Sequence, residues 1–408
     1  MSIKRQLPNP KYFASMLVWR LPLLHKYRRN IESAVSVQDL AKIAKKKVPK
    51  SVFDYVEGSA LHEISASRTH EAYRRAEFQP SLLKNVENID TTIEIFGKVV
   101  ALPIIFAPTG YTKLMHYSGE AAVARVAAEK NMIYCLSTMG TTSPEELAQE
   151  VPQARRWFQV YVMRNREDTV RFVTQAKENG FEALVLTLDT KIPGIRLRDL
   201  RNGLTVPPRI SFSTFLNMIR KPRWWLNLLT TPPLEFAAFR GWTKSLADAA
   251  ALIFDPTIGA QDISWLRSIW DGPIIVKGVQ TVEDAVEIAN LGVEAIVMSN
   301  HGGRQLDRGP VPLEVLQDVV NAVGDKADVY IDGGILSGQD VYAALALGAK
   351  GVMVGRAYLY GIMAGGEMGV DKVVELLRRD LVNTMGLTGV RTIEEIRNSK
   401  TRLRPLNS

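Results

Sequence analysis

The run Ser299-Asn300-His301-Gly302-Gly303-Arg304-Gln305-Leu306-Asp307 sets an imidazole three residues from a guanidinium, with two glycines between them. An imidazole exchanges a proton near neutral pH, and a guanidinium fork grips a carboxylate in bidentate geometry. The glycines let the backbone approach a ligand closely. A lone histidine is more often structural than chemical, so its company matters. Polar residues also end other apolar runs: Ser137, Gln159 with Tyr161, Thr187 with Asp189, Lys277, and Asp332. Side chains two apart in a strand share a face. Gln159/Tyr161, Thr187/Asp189 and Ser299/His301 are therefore each expected to point one way. Burying such groups without partners costs roughly 1–3 kcal/mol each, which a bound polar ligand would offset. An internally satisfied polar layer is the alternative; it explains one pair better than five or six strands together.

Two further turns are glycine-rich: Asp332-Gly333-Gly334 and Gly355-Arg356. Backbone N–H groups in such turns, near a helix N-terminus, cradle anions. Either turn alone is ordinary punctuation; the two together suggest a phosphate-bearing cofactor or substrate.

The elements that must position these residues repeat one rhythm. Eight short apolar runs, at 102–110, 133–138, 156–162, 183–189, 273–279, 295–302, 328–334 and 351–357, alternate with amphipathic segments. That pattern indicates a parallel sheet covered on both faces. Eight units predict an α/β fold, a closed (β/α)8 TIM barrel, with an open doubly wound sheet as the alternative. In such a barrel the polar strand ends meet at one mouth, and the loops after the last two strands hold phosphate. Ser118 is expected to cap the helix after the first strand, with Glu120 in its first turn. Residues 37–58 read as two helices split near Pro49, an N-terminal helical extension. After the fourth strand a long insertion, 205–260, carries Pro207, Pro208, Pro222, Pro232 and Pro233. The expected organisation is a basic arm (1–36, partly disordered), a barrel domain (37–395) and a tail (396–408).

Composition narrows the classes. Of 408 residues 46% are hydrophobic and 23% charged, a globular balance. The single cysteine, Cys135, excludes an intrachain disulfide and a zinc cage, fits a reducing compartment, and no metal site is expected. Arg20 and Pro22 break the first apolar stretch, against a secretory signal. The net charge is +8, but residues 1–50 carry 12 basic and 2 acidic residues, leaving the remainder nearly neutral. A basic arm on a neutral body suits an anionic surface, phospholipid or nucleic acid; no nucleic-acid motif accompanies it.

With these residues in place, the chain from about residue 36 onward resembles the FMN-dependent 2-hydroxy acid oxidases and dehydrogenases, most sharply in Ser299–Asp307. The resemblance implies FMN as cofactor and a small L-2-hydroxy acid as substrate. It implies His301 as the active-site base with Asp189 as its partner. It implies Arg304 and Arg196 on the substrate carboxylate, and Tyr55 and Tyr161 on substrate oxygens. For FMN it implies Pro108, Thr109, Gly110, Ser137, Gln159, Thr187, Lys277, Ser299, Asp332, Gly333, Gly334, Gly355 and Arg356, with Lys277 beside the flavin N1–O2 edge. One departure is Leu336, where many members carry a phosphate-binding arginine. A Schiff-base lysine of an aldolase barrel is the competing reading of Lys277, but it leaves His301 and Arg304 unexplained.

The electron acceptor is expected to be a quinone or another carrier. Gly110 stands where many family oxidases have alanine. Residues 209–229 interleave Phe212, Phe215, Leu216, Ile219, Trp224, Trp225, Leu226 and Leu229 with Arg209, Arg220, Lys221 and Arg223, a composition suited to a membrane interface. The charges at 220–223 exclude a transmembrane span. Packing over the barrel mouth or in a subunit interface is the alternative. The Trp224-Trp225 pair, the Leu228-Leu229-Thr230-Thr231 run and the turn at Ile335-Leu336-Ser337-Gly338 resemble quinone-linked L-lactate dehydrogenases. That likeness implies L-lactate, a peripheral place on the cytoplasmic side of the cell membrane or else in the cytoplasm, and a homo-oligomer, a tetramer in much of the family. An oxidase using O2, a mandelate-type dehydrogenase, and a non-redox phosphate-binding isomerase or aldolase barrel are the alternatives.

Overall fold

The computed structural model describes residues 26–203, 212–232, 234–240 and 254–405. Eight parallel strands close into a barrel: β1 (Ile104–Phe106), β2 (Ile133–Ser137), β3 (Arg155–Val160), β4 (Ala183–Thr187), β5 (Ile274–Val279), β6 (Ala295–Met298), β7 (Asp328–Asp332) and β8 (Gly351–Val354). Each lies beside its sequence neighbours, and β8 closes on β1 with Val352 opposite Ile104. The open-sheet alternative is therefore excluded.

Alternation along the strands builds two cores. Ile105, Cys135, Trp157, Val185, Ile275, Val297, Tyr330 and Met353 point inward and fill the barrel. Their neighbours Phe106, Leu136, Phe158, Leu184, Val276, Ile296 and Ile331 point outward and pack beneath the helices. An antiparallel hairpin, Ile93–Ile95 with Lys98–Val100, plugs the lower end, where Phe96 packs against Trp157. The lower interior of the barrel is thus built mainly of apolar side chains, beneath a polar top layer.

Several helices matter for the site. They are α1 (Lys26–Glu32), α2 (Val37–Lys47), α3 (Lys50–Glu57), α4 (Ile64–Arg74), α5 (Gly119–Glu129), α6 (Phe212–Ile219), α7 (Pro222–Leu229), α8 (Arg356–Gly365) and α9 (Glu367–Thr388). The break between α2 and α3 falls at Pro49, as expected, and Ser36 caps α2 by accepting from the Asp39 N–H. Residues 1–25 of the basic arm lie outside the described residues, but α1 does not float free. Ile31 and Ala34 are buried in the outer core. Nor is the tail loose, since Thr401–Leu403 pairs antiparallel with Ala76–Phe78.

The expected cap of α5 is different in the structure. Ser118 has helical backbone angles rather than the extended ones a capping side chain needs, and its hydroxyl instead lies 2.7 Å from His116 Nδ1. Glu120 is in the first turn but fully buried. Its carboxylate accepts from the Thr141 N–H at 2.6 Å and the Thr142 hydroxyl at 2.9 Å, tying α5 to the loop after β2.

The insertion forms α6 and α7; Arg209, Pro207, Pro208 and Pro233 lie outside the described residues. The two helices join the N-terminal extension: the Lys50 N–H donates to Asn217 Oδ1 at 2.7 Å, and Lys221 Nζ donates to the Lys46 carbonyl at 2.7 Å. No described helix is long and apolar enough to cross a membrane.

Candidate active site

The inward-facing register that is apolar below becomes polar at the C-terminal ends of the strands. Ser137, Gln159, Thr187, Lys277, Ser299 and Asp332 each continue the inward row of their strand, and all are buried. The layer splits into two networks. Ser137 donates to Gln159 Oε1 at 3.0 Å. Lys277 Nζ lies 2.7 Å from Asp332 Oδ2 and donates to Ser299 Oγ at 2.7 Å. Burial works against the Lys277 charge, but Asp332 and Asp189 outweigh it and raise its pKa. Lys277 does not close its strand, as the sequence suggested. β5 continues to Val279 through a bulge, with Gly278 at φ +107°. A Cβ at Gly278 would sit 2.7 Å from the Cβ of Asp189, so glycine is what makes room for that carboxylate.

His301 and Asp189 lie beyond their strands, so strand alternation does not place them. The chain turns after Met298, and His301, Gly302 and Gly303 follow at φ +56°, +64° and +75°. For histidine that left-handed conformation is unfavourable and needs holding. It is held: the His301 N–H donates to Ser299 Oγ at 3.0 Å, and Asn300 Oδ1 accepts from the Gly303 N–H at 3.0 Å. The turn swings the ring to Asp189, whose oxygens lie 3.1 and 3.3 Å from His301 Nδ1. Burial would raise the Asp189 carboxyl, but His301 and Lys277 hold it below the ordinary value.

A loop and two helices close the mouth. Tyr55 comes from α3, and the Arg304 guanidinium stacks over its ring, 5.1 Å from the centroid. Arg304 Nη1 donates to the Tyr55 and Gly58 carbonyls, both at 2.7 Å. These are unpaired carbonyls of a helix end, where a cation also meets the negative pole of the dipole. Burial, then the nearby Arg196, pushes Arg304 down to about 10. Arg196 is braced by Asp199 at 2.8 Å. Two guanidinium groups set close together in a half-buried place, with Asp199 the carboxylate paired to Arg196, leave a deficit of negative charge, the electrostatic shape of a carboxylate site. Tyr161 is buried beside Asp189, which together keep its hydroxyl protonated and able to donate.

At the far end, Gly333 and Gly334 have φ +89° and +77°, and Gly355 precedes the first turn of α8. A Cβ at Gly334 would meet Thr69 Cγ2 at 2.7 Å, so the cradle is sealed by α4. Arg356 reaches from this end to the Val56 carbonyl at 3.0 Å and the Ser59 hydroxyl at 2.8 Å. Leu336 faces the same space and supplies no charge; His70 lines it too.

All of these belong to one cavity of about 230 Å³, lined by Tyr55 and Arg304 at one end and by Gly334 and Arg356 at the other. Pro108, Thr109, Gly110, Ser137, Gln159, Tyr161, Thr187, Arg196, Lys277, His301, Asp332, Gly333 and Gly355 line it as well. Asp189 and Ser299 stand directly behind His301 and Lys277. Two atoms test what the cavity takes. Gln159 Nε2 and Asp332 Oδ1 are buried with no hydrogen-bond partner in the protein. A donor and an acceptor left in this way fit a ligand with complementary polar edges, and the glycine cradle fits a terminal phosphate. FMN has both. Among the described residues no group of side chains could hold a metal ion.

Sequence reasoning passed over part of this machinery. Asp307 accepts from the Ser65 N–H at 2.9 Å and the His62 N–H at 3.1 Å, capping α4 from 240 residues away. Gln305 Nε2 donates to the Asp189 carbonyl at 3.0 Å, and its Oε1 accepts from Gly194. The end of the Ser299–Asp307 motif, through Gln305 and Asp307, is therefore a clasp for the mouth. Gly278, a glycine inside an apolar strand, was the one local signal available.

Comparison with known proteins agrees with this geometry. The family model for FMN-dependent dehydrogenases matches residues 44–403. A Mycobacterium tuberculosis protein, provisionally named an L-lactate dehydrogenase, is 41% identical over 97% of this chain and 96% of its own length. The peroxisomal (S)-2-hydroxyacid oxidase GLO3 of Arabidopsis thaliana is 37% identical over 91% of this chain and 97% of its own. Among solved structures, the monotopic membrane protein (S)-mandelate dehydrogenase superposes with a TM-score of 0.88 at 34% identity, covering 91% of this chain and 100% of that one. Mandelate oxidase gives 0.78 at 34% identity, covering 91% and 99%. A cavity with an imidazole–carboxylate pair, two guanidinium groups and a phosphate cradle, on a barrel of this sequence, places the chain in the FMN-dependent dehydrogenase family, as an FMN flavoenzyme that oxidises 2-hydroxy acids.

Proposed function

We propose that the substrate is L-lactate, that it is oxidised to the 2-keto acid, and that a quinone receives the electrons at a membrane surface. The observation that carries the chemical part is the convergence of His301, Asp189, Arg304 and Arg196 on one end of the cavity. Arg304 and Arg196 hold the substrate carboxylate. Tyr55 and Tyr161 hold its oxygens, with Tyr161 kept as a donor by its burial. His301 takes the proton that the substrate loses, and Asp189 stabilises the imidazolium so formed. Both direct hydride transfer and prior proton abstraction use His301 in this way.

Bound FMN supplies the two-electron acceptor for the 2-hydroxy acid. Ser137, Gln159, Thr187 and Lys277, with Ser299 behind and with Pro108, Thr109 and Gly110, would hold the ring system. Asp332, Gly333, Gly334, Gly355 and Arg356 would hold the chain and phosphate. Lys277 keeps its positive charge in a buried place, which favours negative charge on a neighbouring ring edge.

The choice of lactate is supported by the names of the M. tuberculosis relative and of the L-lactate dehydrogenase of Pseudomonas syringae pv. syringae, 38% identical over 88% of this chain. The likeness to the monotopic (S)-mandelate dehydrogenase supports a larger substrate as the second reading. It also supports peripheral membrane attachment. Phe212, Phe215, Leu216, Ile219, Leu226 and Leu229 are exposed on α6 and α7. Trp224 is not part of that face; its indole donates to the Leu114 carbonyl at 2.8 Å. The membrane concerned would be the cell membrane, on its cytoplasmic side, and the enzyme a homo-oligomer, a tetramer in this reading. Anaerobic mixing of the yellow holoenzyme with L-lactate, D-lactate and L-mandelate tests the assignment. Bleaching by L-lactate alone supports it; bleaching by mandelate alone overturns it. Quinone reduction against H2O2 release separates dehydrogenase from oxidase.

A further inference from the structure

A second cavity, of about 600 Å³, lies between α7 and the barrel. Six cationic side chains line it: Lys46 and Lys47 from α2, Lys113 from the loop after β1, and Arg220, Lys221 and Arg223 from the insertion. No carboxylate lines it among the described residues. Three of the ammonium groups are held by neutral carbonyls: Lys47 by Ala364, Lys113 by Thr141 and Lys221 by Lys46. These bonds fix the three ammonium groups in place. Burial and the Arg223 guanidinium push Lys47 down to about 8, and burial with Lys47 pushes His116 down to about 4. α7 also starts here, adding the positive pole of its dipole.

We propose that this cavity binds the phosphate headgroup of an anionic phospholipid. Its chemistry is that of a phosphate site, and α7 identifies the source. Trp224, Asn227 and Leu228 of that helix face the cavity, whereas Leu226 and Leu229 on its other side face solvent. A helix is about 10 Å across. An interfacial helix sinks its apolar face about 5–10 Å into the boundary between headgroups and acyl chains. When the leucine face of α7 enters the acyl region, the basic cavity behind it stands at the depth of the phosphates. The inference deepens the peripheral-membrane reading: attachment becomes a stoichiometric, headgroup-selective site as well as an apolar face.

The test uses holoenzyme and short-chain lipids below their micelle concentration, followed by calorimetry. Dihexanoyl phosphatidylglycerol is expected to bind saturably, one per chain, at least about tenfold more tightly than dihexanoyl phosphatidylcholine, since each basic residue near an anionic headgroup is worth about fivefold and several line the cavity. The double variant Arg220→Gln/Arg223→Gln, both side chains being solvent-accessible, is expected to weaken that binding about tenfold or more while flavin content and turnover stay unchanged. Equal binding of the two lipids, or an unaltered double variant, overturns the proposal. Inorganic phosphate binding as tightly as the anionic lipid overturns its lipid source. A separate arm keeps this distinct from the membrane reading. Leu226→Ser/Leu229→Ser should abolish flotation with vesicles yet bind the short-chain anionic lipid normally; wild type that binds this lipid but does not float overturns the membrane reading and leaves the headgroup site standing.

Discussion

His301 adopts a backbone conformation that favours glycine, held by Ser299 and Asn300, so that its ring meets Asp189. If that ring is the base, His301→Gln should lower kcat by about 10²–10⁴-fold while the protein stays yellow. Retained turnover in stopped-flow reduction would remove His301 from the mechanism. Arg304→Lys keeps a charge but loses the fork. Hydrogen bonds to charged groups are worth roughly 1.5–3 kcal/mol, so kcat/KM should fall about 10–100-fold with a raised KM; unchanged steady-state kinetics would reject the role. At this scale the polar layer was legible because period-two alternation runs unbroken to Ser137, Gln159, Thr187, Ser299 and Asp332. His301 and Asp189 were singled out as polar ends of apolar runs and given roles by the family likeness, but alternation does not place them, since both stand past the last paired residue of their strands. The glycine at 278 signalled an irregularity in its strand, but not what it admits: the Asp189 carboxylate comes from beyond the neighbouring strand, a contact no local pattern encodes.

Among the elements, the eight strands were readable in number and order, though shorter than the apolar runs, whose ends turn into loops at Pro103, Pro108 and Gly302. The clasp was not readable, because Asp307 and Gln305 act on segments brought near only by barrel closure. Asp307→Ala removes the cap of α4; a cap is worth about 0.5–2 kcal/mol. The expected result is a lower Tm and faster loss of FMN on dialysis, and an unchanged Tm would deny the clasp. The chain returns from the insertion at Asp255. Burial would raise this carboxyl, but Thr257 and Arg166 outweigh it and hold it at about 2. A folded value below the ordinary one stabilises the fold above about pH 4, and that contribution fades as pH falls through 2. Asp255→Asn should therefore be destabilised at pH 7 and converge on wild type near pH 2. A constant difference in denaturation midpoint across that range would show that the ionised form plays no part.

For the whole molecule, two clues far apart in the chain prove to be neighbours. The basic N-terminal segment and the insertion meet through Lys46–Lys221 and Lys50–Asn217, on the side where α3 covers the mouth. In the peripheral-membrane proposal, electrostatic and apolar attraction would then act together on one face. Raising ionic strength to 1 M shrinks the screening length to about 3 Å and should weaken, without abolishing, flotation on anionic vesicles. Salt-insensitive binding would leave the basic segment without a role there.

One carbonyl couples the two ends of the site. Gly58 O accepts from Arg304 at 2.7 Å and from Arg356 at 3.3 Å, so the arginine proposed for the substrate and the arginine proposed for the phosphate share one peptide oxygen. If a ligand draws one arginine off this oxygen, the hydrogen bond of the other is expected to change with it. Thermodynamic reciprocity then requires that a 2-keto acid tighten or loosen cofactor retention by the same factor by which the cofactor changes keto acid affinity. Product release and prosthetic-group loss would be two readings of a single internal balance.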